Sequence, residues 1–241
     1  MMAGISTYCL LDRSLEEALD RLSAITSLIE VVDEGPHFIS DDSIFSNYSG
    51  KFIIHAPYHG MNIASSFEAI REASVEVMTD CFSVAAEIGA DVVVHPGYYA
   101  WKQERRQADR QFRTSLQELR DAAAERSLTF YFENMGDMNF FNLRTPADLG
   151  IIDGTGFALD VGHANLNHCL PLFLETTFGH MHIHDNDGRK DTHSPVGEGN
   201  IDFVPVLAAL RRNSATSVIE VKSFAGVQES ILALGQIGVG L

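Results

Sequence analysis

Apolar residues fall along this chain in short β-rich runs, and longer stretches with helical spacing separate them from one end to the other. The runs are 4–9 (GISTYC), 27–33 (SLIEVVD), 51–57 (KFIIHAP), 91–97 (DVVVHPG), 128–134 (LTFYFEN), 156–163 (GFALDVGH), 179–185 (GHMHIHD) and 217–222 (SVIEVK). Most are nearly continuous in apolar residues, as strands buried on both faces are. Helical stretches follow them. The first is 14–25, with Ser14 placed as an N-cap and Glu17 three residues on; the next, 66–89, is stopped by Gly89. Others cover 107–127, 145–153, 169–177, 203–212 and 227–238, and the weakest helical pattern is 41–48, after the second strand. Eight strands, each followed by a helical segment, with no linker in 241 residues, predict one (β/α)8 TIM barrel domain over residues 1–241.

That fold says where chemistry belongs, because reactive groups in a TIM barrel stand at the C-terminal ends of the strands. His55 closes the third run, His95 the fourth and Glu133 the fifth. Asp160 and His163 close the sixth, His182 lies in the seventh, Asp191 and His193 follow it, and Glu220 ends the eighth. Any one of these alone reads as a hydrogen-bonded structural residue. Converging on one mouth they read as a metal centre, since several carboxylates buried together need cations to compensate them. Mixed nitrogen and oxygen donors suit zinc, manganese or cobalt better than magnesium or calcium. His180, His182 and His184 alternate and so point to one side of their strand. His180, nearer the N-terminal end, reads as a barrel-interior residue, and His184 competes with His182 as the ligand. His37, His59 and His168 lie in loops or near helix starts and read as solvent-facing or supporting residues.

The segments HAPY, VHPG, FEN, LDVGH, MHIHD, DTHSPVGEG and IEV, in this order from His55 to Glu220, resemble the xylose isomerase-like TIM barrels, also called AP endonuclease family 2. That superfamily holds endonuclease IV together with sugar isomerases and epimerases. The endonuclease IV resemblance implies up to three zinc ions: one on His55, His95 and Glu133; one on Glu133, Asp160, His182 and Glu220; one on His163, Asp191 and His193. Tyr58 matches a tyrosine near the DNA in that branch. The isomerase and epimerase resemblance implies one divalent ion, held by Glu133, Asp160, His182 and Glu220, with His163 touching substrate oxygens. In that branch Glu133 and Glu220 move the proton, one as base and one as acid, while the ion polarises the carbonyl. Tyr58 and Trp101 are expected on the substrate side of the mouth.

Composition then weighs the two chemistries. With 17 basic against 33 acidic residues the formal charge is −16, which opposes non-specific attraction to nucleic acid or anionic membrane. Bound divalent ions would cancel part of it. The segment 98–110 (YYAWKQERRQADR), continuing to Arg113, mixes aromatics with Lys102, Arg105, Arg106 and Arg110. It reads first as an aromatic substrate loop running into a solvated helix face, and second as a nucleic-acid contact. Three widely spaced cysteines, Cys9, Cys81 and Cys169, form no CxxC pair and suggest reduced thiols. The N-terminus makes a poor signal peptide, and no apolar run reaches the roughly 20 residues of a membrane span, so the expectation is a soluble cytoplasmic protein. The compact loops and LDVGHAN and HSPVGEGNIDF favour a small-molecule enzyme that isomerises or epimerises a sugar or sugar phosphate. An endonuclease IV-like trinuclear zinc phosphodiesterase acting on abasic DNA is the alternative, supported by the nine ligand positions. A barrel that binds metal without catalysis is the third reading.

Overall fold

A computed structural model describes residues 3–136 and 140–237. Its eight parallel strands are β1 (Gly4–Ser6), β2 (Leu28–Val32), β3 (Lys51–His55), β4 (Asp91–Val94), β5 (Phe130–Glu133), β6 (Gly156–Asp160), β7 (His180–Ile183) and β8 (Thr216–Ile219). They pair in chain order, and β1 also pairs with β8, which closes the barrel. The helices outside it are α1 (Leu15–Ser23), α2 (Glu68–Ile88), α3 (Arg105–Glu125), α4 (Val161–Leu166), α5 (Leu170–Leu174), α6 (Phe203–Asn213) and α7 (Phe224–Gln236). The single TIM-barrel fold read from the sequence is the observed one.

Local signals worked where they were strong. Ser14 accepts from the Glu17 N–H and Glu17 reaches back to the Ser14 N–H, a capping box that starts α1. Gly89 ends α2 with φ +64°, the left-handed turn a glycine takes without strain. The stretches 41–48 and 145–153 instead form 3-10 helices, Ser43–Asn47 and Pro146–Ile152. The sixth strand is shorter than its apolar run: it stops at Asp160, whose side chain caps α4 at the next residue.

Two apolar layers hold the barrel. Outward residues such as Ile54, Val92, Val94, Phe132, Leu159, Met181 and Ile219 pack against the helices in one continuous core. Inside, Ile53, Val93 and Ala158 form a separate plug, with Leu28 and Tyr131 packed against it. Side chains on a strand repeat direction every second residue. Two positions beyond this plug, toward the C-terminal ends, stand Glu30, His55, His95, Glu133 and Asp160. The same alternation puts His182 above His180 and Glu220 above Val218. The plug is therefore the floor on which the polar groups stand. The three cysteines are buried and unpaired, and burial pushes the Cys9 thiol up to about 12. No described helix is long and apolar enough to cross a membrane.

Candidate metal centre

All nine residues picked from the strand ends meet at one mouth, in three contiguous groups. In the first, Nε2 of His55 and Nε2 of His95 lie 3.4 and 3.1 Å from Oε2 of Glu133. In the second, Asp160, His182 and Glu220 come together. Nδ1 of His182 is 3.8 Å from Asp160 Oδ2, 3.5 Å from Glu220 Oε2 and 3.2 Å from Glu133 Oε1, so Glu133 spans both groups. In the third, Oδ2 of Asp191 sits between Nε2 of His163 (3.1 Å) and Nε2 of His193 (3.3 Å). His184 joins this third group and not the second. Its Nε2 is 3.1 Å from both oxygens of Asp160 and its ring stacks on His193 at 3.9 Å. Of the two competing histidines, His182 is the one that faces Asp160 and Glu220 together.

Each element aims its donor for a local reason. The Asn134 side chain brackets the peptide of Asp160, donating to its carbonyl and accepting its N–H at 2.9 and 2.8 Å. Asp160 in turn accepts the His163 N–H at 2.6 Å, which sets His163 in the first turn of α4. The loop after β7 folds back through Asp185, whose carboxylate takes the N–H groups of Asn186, Gly197 and Ile201. A Cβ on Gly199 would lie 2.2 Å from that carboxylate, so only glycine lets the loop close and deliver Asp191 and His193. His193 itself sits at φ +45°.

The donor set fits a divalent ion by a test independent of residue type. A metal-binding imidazole ties its other ring nitrogen to an acceptor, which fixes the tautomer. His55 Nδ1 donates to the Ala56 carbonyl at 3.0 Å, His163 Nδ1 to the Asn134 carbonyl at 2.9 Å, and His193 Nδ1 to the Glu220 carbonyl at 3.0 Å. A carbonyl only accepts, so one proton sits on that nitrogen, and the other nitrogen turns a lone pair toward the carboxylates once it gives up its own proton. His182 does the same with its nitrogens exchanged: Nε2 faces Glu30 and Nδ1 faces the cluster. Glu30, in the middle of β2 and fully buried, is the site residue that the strand-end rule missed.

With protein groups alone the charges are strongly coupled. Burial would raise the Glu133 carboxyl, but the charge of His182 and hydrogen bonds from His163, His182 and His55 hold it well below the usual range. Glu220 goes the other way: burial lifts it above the ordinary carboxylate value against the pull of His182 and His193. Burial would lower His55, yet its hydrogen bond with Glu133 and the charges of Glu133, Glu30 and Glu220 lift it to about 9.

The mouth opens into a cavity of about 610 Å³. His55, His95, Glu133, Asp191 and Glu220 of the candidate centre are among its lining residues, and Leu11, Met61, Met135, Phe141 and Leu166 give it apolar walls. Tyr58 lines it too, stacked 4.7 Å over His95 and held by Glu34, which accepts its backbone N–H. Trp101 does not line it and is 68% exposed. No lysine or arginine is among the described lining residues. Arg105 turns away to Asp109 and Asp148, and Lys102, Arg106, Arg110 and Arg113 are exposed. Of the remaining histidines, His59 and His168 are exposed. His37 is fully buried against Thr7, so it is not solvent-facing, and His180 lies inside the barrel.

Comparison with known proteins agrees with this architecture. The chain is 32% identical to an uncharacterized protein of Methanocaldococcus jannaschii over 234 residues, 92% of this chain and 93% of that one. It is 28% identical to a probable endonuclease 4 of Mycobacterium leprae, covering 78% of this chain and 79% of the relative. Among solved structures, a D-tagatose 3-epimerase-like protein superposes with a TM-score of 0.89 at 28% identity, over 98% of this chain and 97% of its own. Residues 44–235 match the family described as xylose isomerase-like TIM barrel, and the chain belongs to that family.

Proposed function

We propose that the protein is a divalent-metal-dependent enzyme that isomerises or epimerises a sugar by moving a proton next to a carbonyl. The observation that carries this reading is the cavity: two glutamates of the metal centre, Glu133 and Glu220, line a recess with apolar walls and no described lysine or arginine. A phosphodiester or phosphorylated substrate calls for cationic partners; a free sugar calls for hydrogen-bonding groups beside apolar surface. The likeness to a D-tagatose 3-epimerase-like structure supports the same reading. Zinc is the proposed ion, with manganese or cobalt as alternatives. Glu133, Asp160, His182 and Glu220 are the candidate ligands of the single ion this reaction needs, and His55, His95, His163, Asp191 and His193 complete the candidate ligand positions for up to three ions.

When bound, the ion would polarise the substrate carbonyl. The protein's own groups do the rest. Glu133, held ionised, takes the proton from the carbon beside that carbonyl. Glu220, raised by burial, returns one. His163, in the first turn of α4, is placed to hold a substrate hydroxyl, and Tyr58 closes one wall above His95.

A second reading has its own support. The nine candidates form overlapping groups that include His55–His95–Glu133, Asp160–His182–Glu220 and His163–Asp191–His193, an arrangement that could serve a trinuclear zinc phosphodiesterase, and the 28% identity to a probable endonuclease 4 points the same way. One experiment separates them. The metal-loaded protein is incubated with a panel of free ketoses in heavy water, and in parallel with an abasic-site oligonucleotide. The proposal expects deuterium at the carbon beside the carbonyl, and loss of that exchange in Glu133→Gln. Oligonucleotide cleavage with three bound zinc ions and no exchange would overturn it.

A further inference from the structure

We infer that Glu30 is a positioning residue of the metal centre, holding His182 in the tautomer and orientation that turn Nδ1 toward Asp160, Glu133 and Glu220. The inference rests on the metal-centre reading and is independent of which reaction the metal serves. Nε2 of His182 lies 3.1 Å from Oε1 and 3.3 Å from Oε2 of Glu30. Nε2 of His180 lies 3.0 Å from Oε2, and all three side chains are fully buried. An ionised carboxylate accepts and cannot donate, so both imidazoles bring N–H groups to it. On His182 this leaves Nδ1, the nitrogen that faces the three carboxylates of the centre, as the one whose proton a metal would displace.

The arrangement is anchored from behind. The Thr216 hydroxyl lies 2.7 Å from Nδ1 of His180. Because the Glu30 carboxylate holds the His180 proton on Nε2, the single proton of that hydroxyl goes to His180 Nδ1, the nearer acceptor, and not to the Gly179 carbonyl 3.3 Å away. Thr216, His180, Glu30 and His182 then form one directed chain from β8 to the metal centre. His55, His163 and His193 are oriented by backbone carbonyls, whereas His182 alone among these four is oriented by a side-chain carboxylate. A buried anion behind the imidazole also makes Nδ1 a stronger donor. The 3.0 and 3.3 Å spacings of the His180 and His182 Nε2 atoms from Oε2 are those of direct hydrogen bonds, while Oε1 accepts none.

Glu30→Gln tests this with little change of shape. With its NH2 group at the Oε2 position, 3.0 and 3.3 Å from the two Nε2 atoms, the amide opposes both N–H groups and favours the tautomer with the His182 proton on Nδ1. With the NH2 group at the Oε1 position, which accepts no hydrogen bond, the carbonyl keeps both N–H groups but the buried anion behind the imidazole is lost. Wild type and variant are stripped of metal, then titrated with zinc in competition with a chromophoric chelator, and the thermal unfolding of the stripped proteins is recorded beside it. The expected result is zinc affinity weakened by about 10- to 100-fold, with full occupancy recovered at excess zinc. Thr216→Val, cut at the far end of the chain, is expected to give a smaller loss in the same direction, and it decides the question if Glu30→Gln does not fold. Unchanged affinity with a lower melting temperature would overturn the inference by making Glu30 a packing residue. Loss of one zinc equivalent that excess zinc does not restore would overturn it by making Glu30 a ligand of a separate ion. Wild-type protein that binds no zinc would remove the metal centre itself, and this role with it.

Discussion

One oxygen of Asp160 accepts the backbone N–H of His163 at 2.6 Å, so a candidate metal ligand is also the N-cap of the helix that carries another. The two roles separate by substitution. Asparagine caps a helix about as well as aspartate, whereas alanine at an N-cap costs about 1 kcal/mol. Asp160→Ala also strips the His184 Nε2 of its buried partner. Asp160→Asn is expected to keep the stability of the metal-stripped protein within about 0.5 kcal/mol, and Asp160→Ala to lower it by about 1–3 kcal/mol. Both should bind zinc at least about tenfold more weakly. Denaturant unfolding of the stripped variants beside chelator competition reads both effects; equal stability of Asn and Ala variants would show that the cap contributes nothing.

The same residue shows what was legible in the sequence and what was not. The alternation along each strand put His55, Glu133, Asp160 and Glu220 at one mouth because the apolar residues two positions before them, Ile53, Tyr131 and Ala158 of the plug and Val218 of β8, share the same register. It failed at the end of β6, where Val161 and Gly162 continue an apolar run although Asp160 has already begun a helix. Capping depends on one side chain, and hydrophobic periodicity does not register it. Glu30 was hidden by a different cause: it sits in mid-strand, where the strand-end rule does not reach. A signal existed, since a carboxylate in the middle of SLIEVVD, a run buried on both faces, must have a partner. The alternation of His180 with His182 placed a candidate in the same interior. Trp101 came from an aromatic composition alone, which does not say which way a loop residue faces.

Gly162 and His184 are locked by contact. A Cβ at position 162 would lie 1.9 Å from Cε1 of His184 and 2.5 Å from each ring nitrogen. On helix propensity alone, Gly162→Ala would gain up to about 1 kcal/mol. The ring cannot yield easily, because it is buried between Asp160 and His193. The expected net effect is a loss of about 1–3 kcal/mol, measured by denaturant unfolding. Adding His184→Ala to Gly162→Ala should recover part of that loss, a non-additivity of at least about 1 kcal/mol in the double-mutant cycle. Additive effects would mean that the two residues do not press on each other.

Metal and pH should act in opposite directions on this fold. Burial opposes the charge on His55, but Glu133 outweighs it and lifts the group from 6.5 to about 9. A histidine raised in the folded state stabilises below its unfolded value, and that contribution is lost as pH climbs through the folded one. The chelator-stripped protein therefore loses this contribution to stability between about pH 6.5 and pH 9. Zinc must displace the same proton, so its affinity rises over that interval. The gap in melting temperature between zinc-loaded and stripped protein should widen steadily from about pH 6 to about pH 9. A gap independent of pH would show that His55 gives up no proton to the metal.

Asp33 offers a pH effect from a side chain outside the candidate ligand set, although its backbone N–H donates to the His55 carbonyl. It follows β2, is 3% exposed, and accepts the Ile39 N–H at 2.7 Å. Burial pushes its carboxyl up from 3.8 to about 6, against the pull of that N–H and the Cys81 thiol. The folded state thus prefers the protonated form. The stabilisation is complete below pH 3.8 and is lost as pH rises through about 6. At about 1.4 kcal/mol per pH unit the loss amounts to about 3 kcal/mol by neutrality. The substitution Asp33→Asn keeps an acceptor for the Ile39 N–H and leaves no charge to desolvate. The variant should match wild type near about pH 4 and exceed it by up to about 3 kcal/mol at about pH 7.5, read as a higher denaturant midpoint of the stripped proteins. A constant difference between the two proteins across that range would place the charge of Asp33 in contact with water.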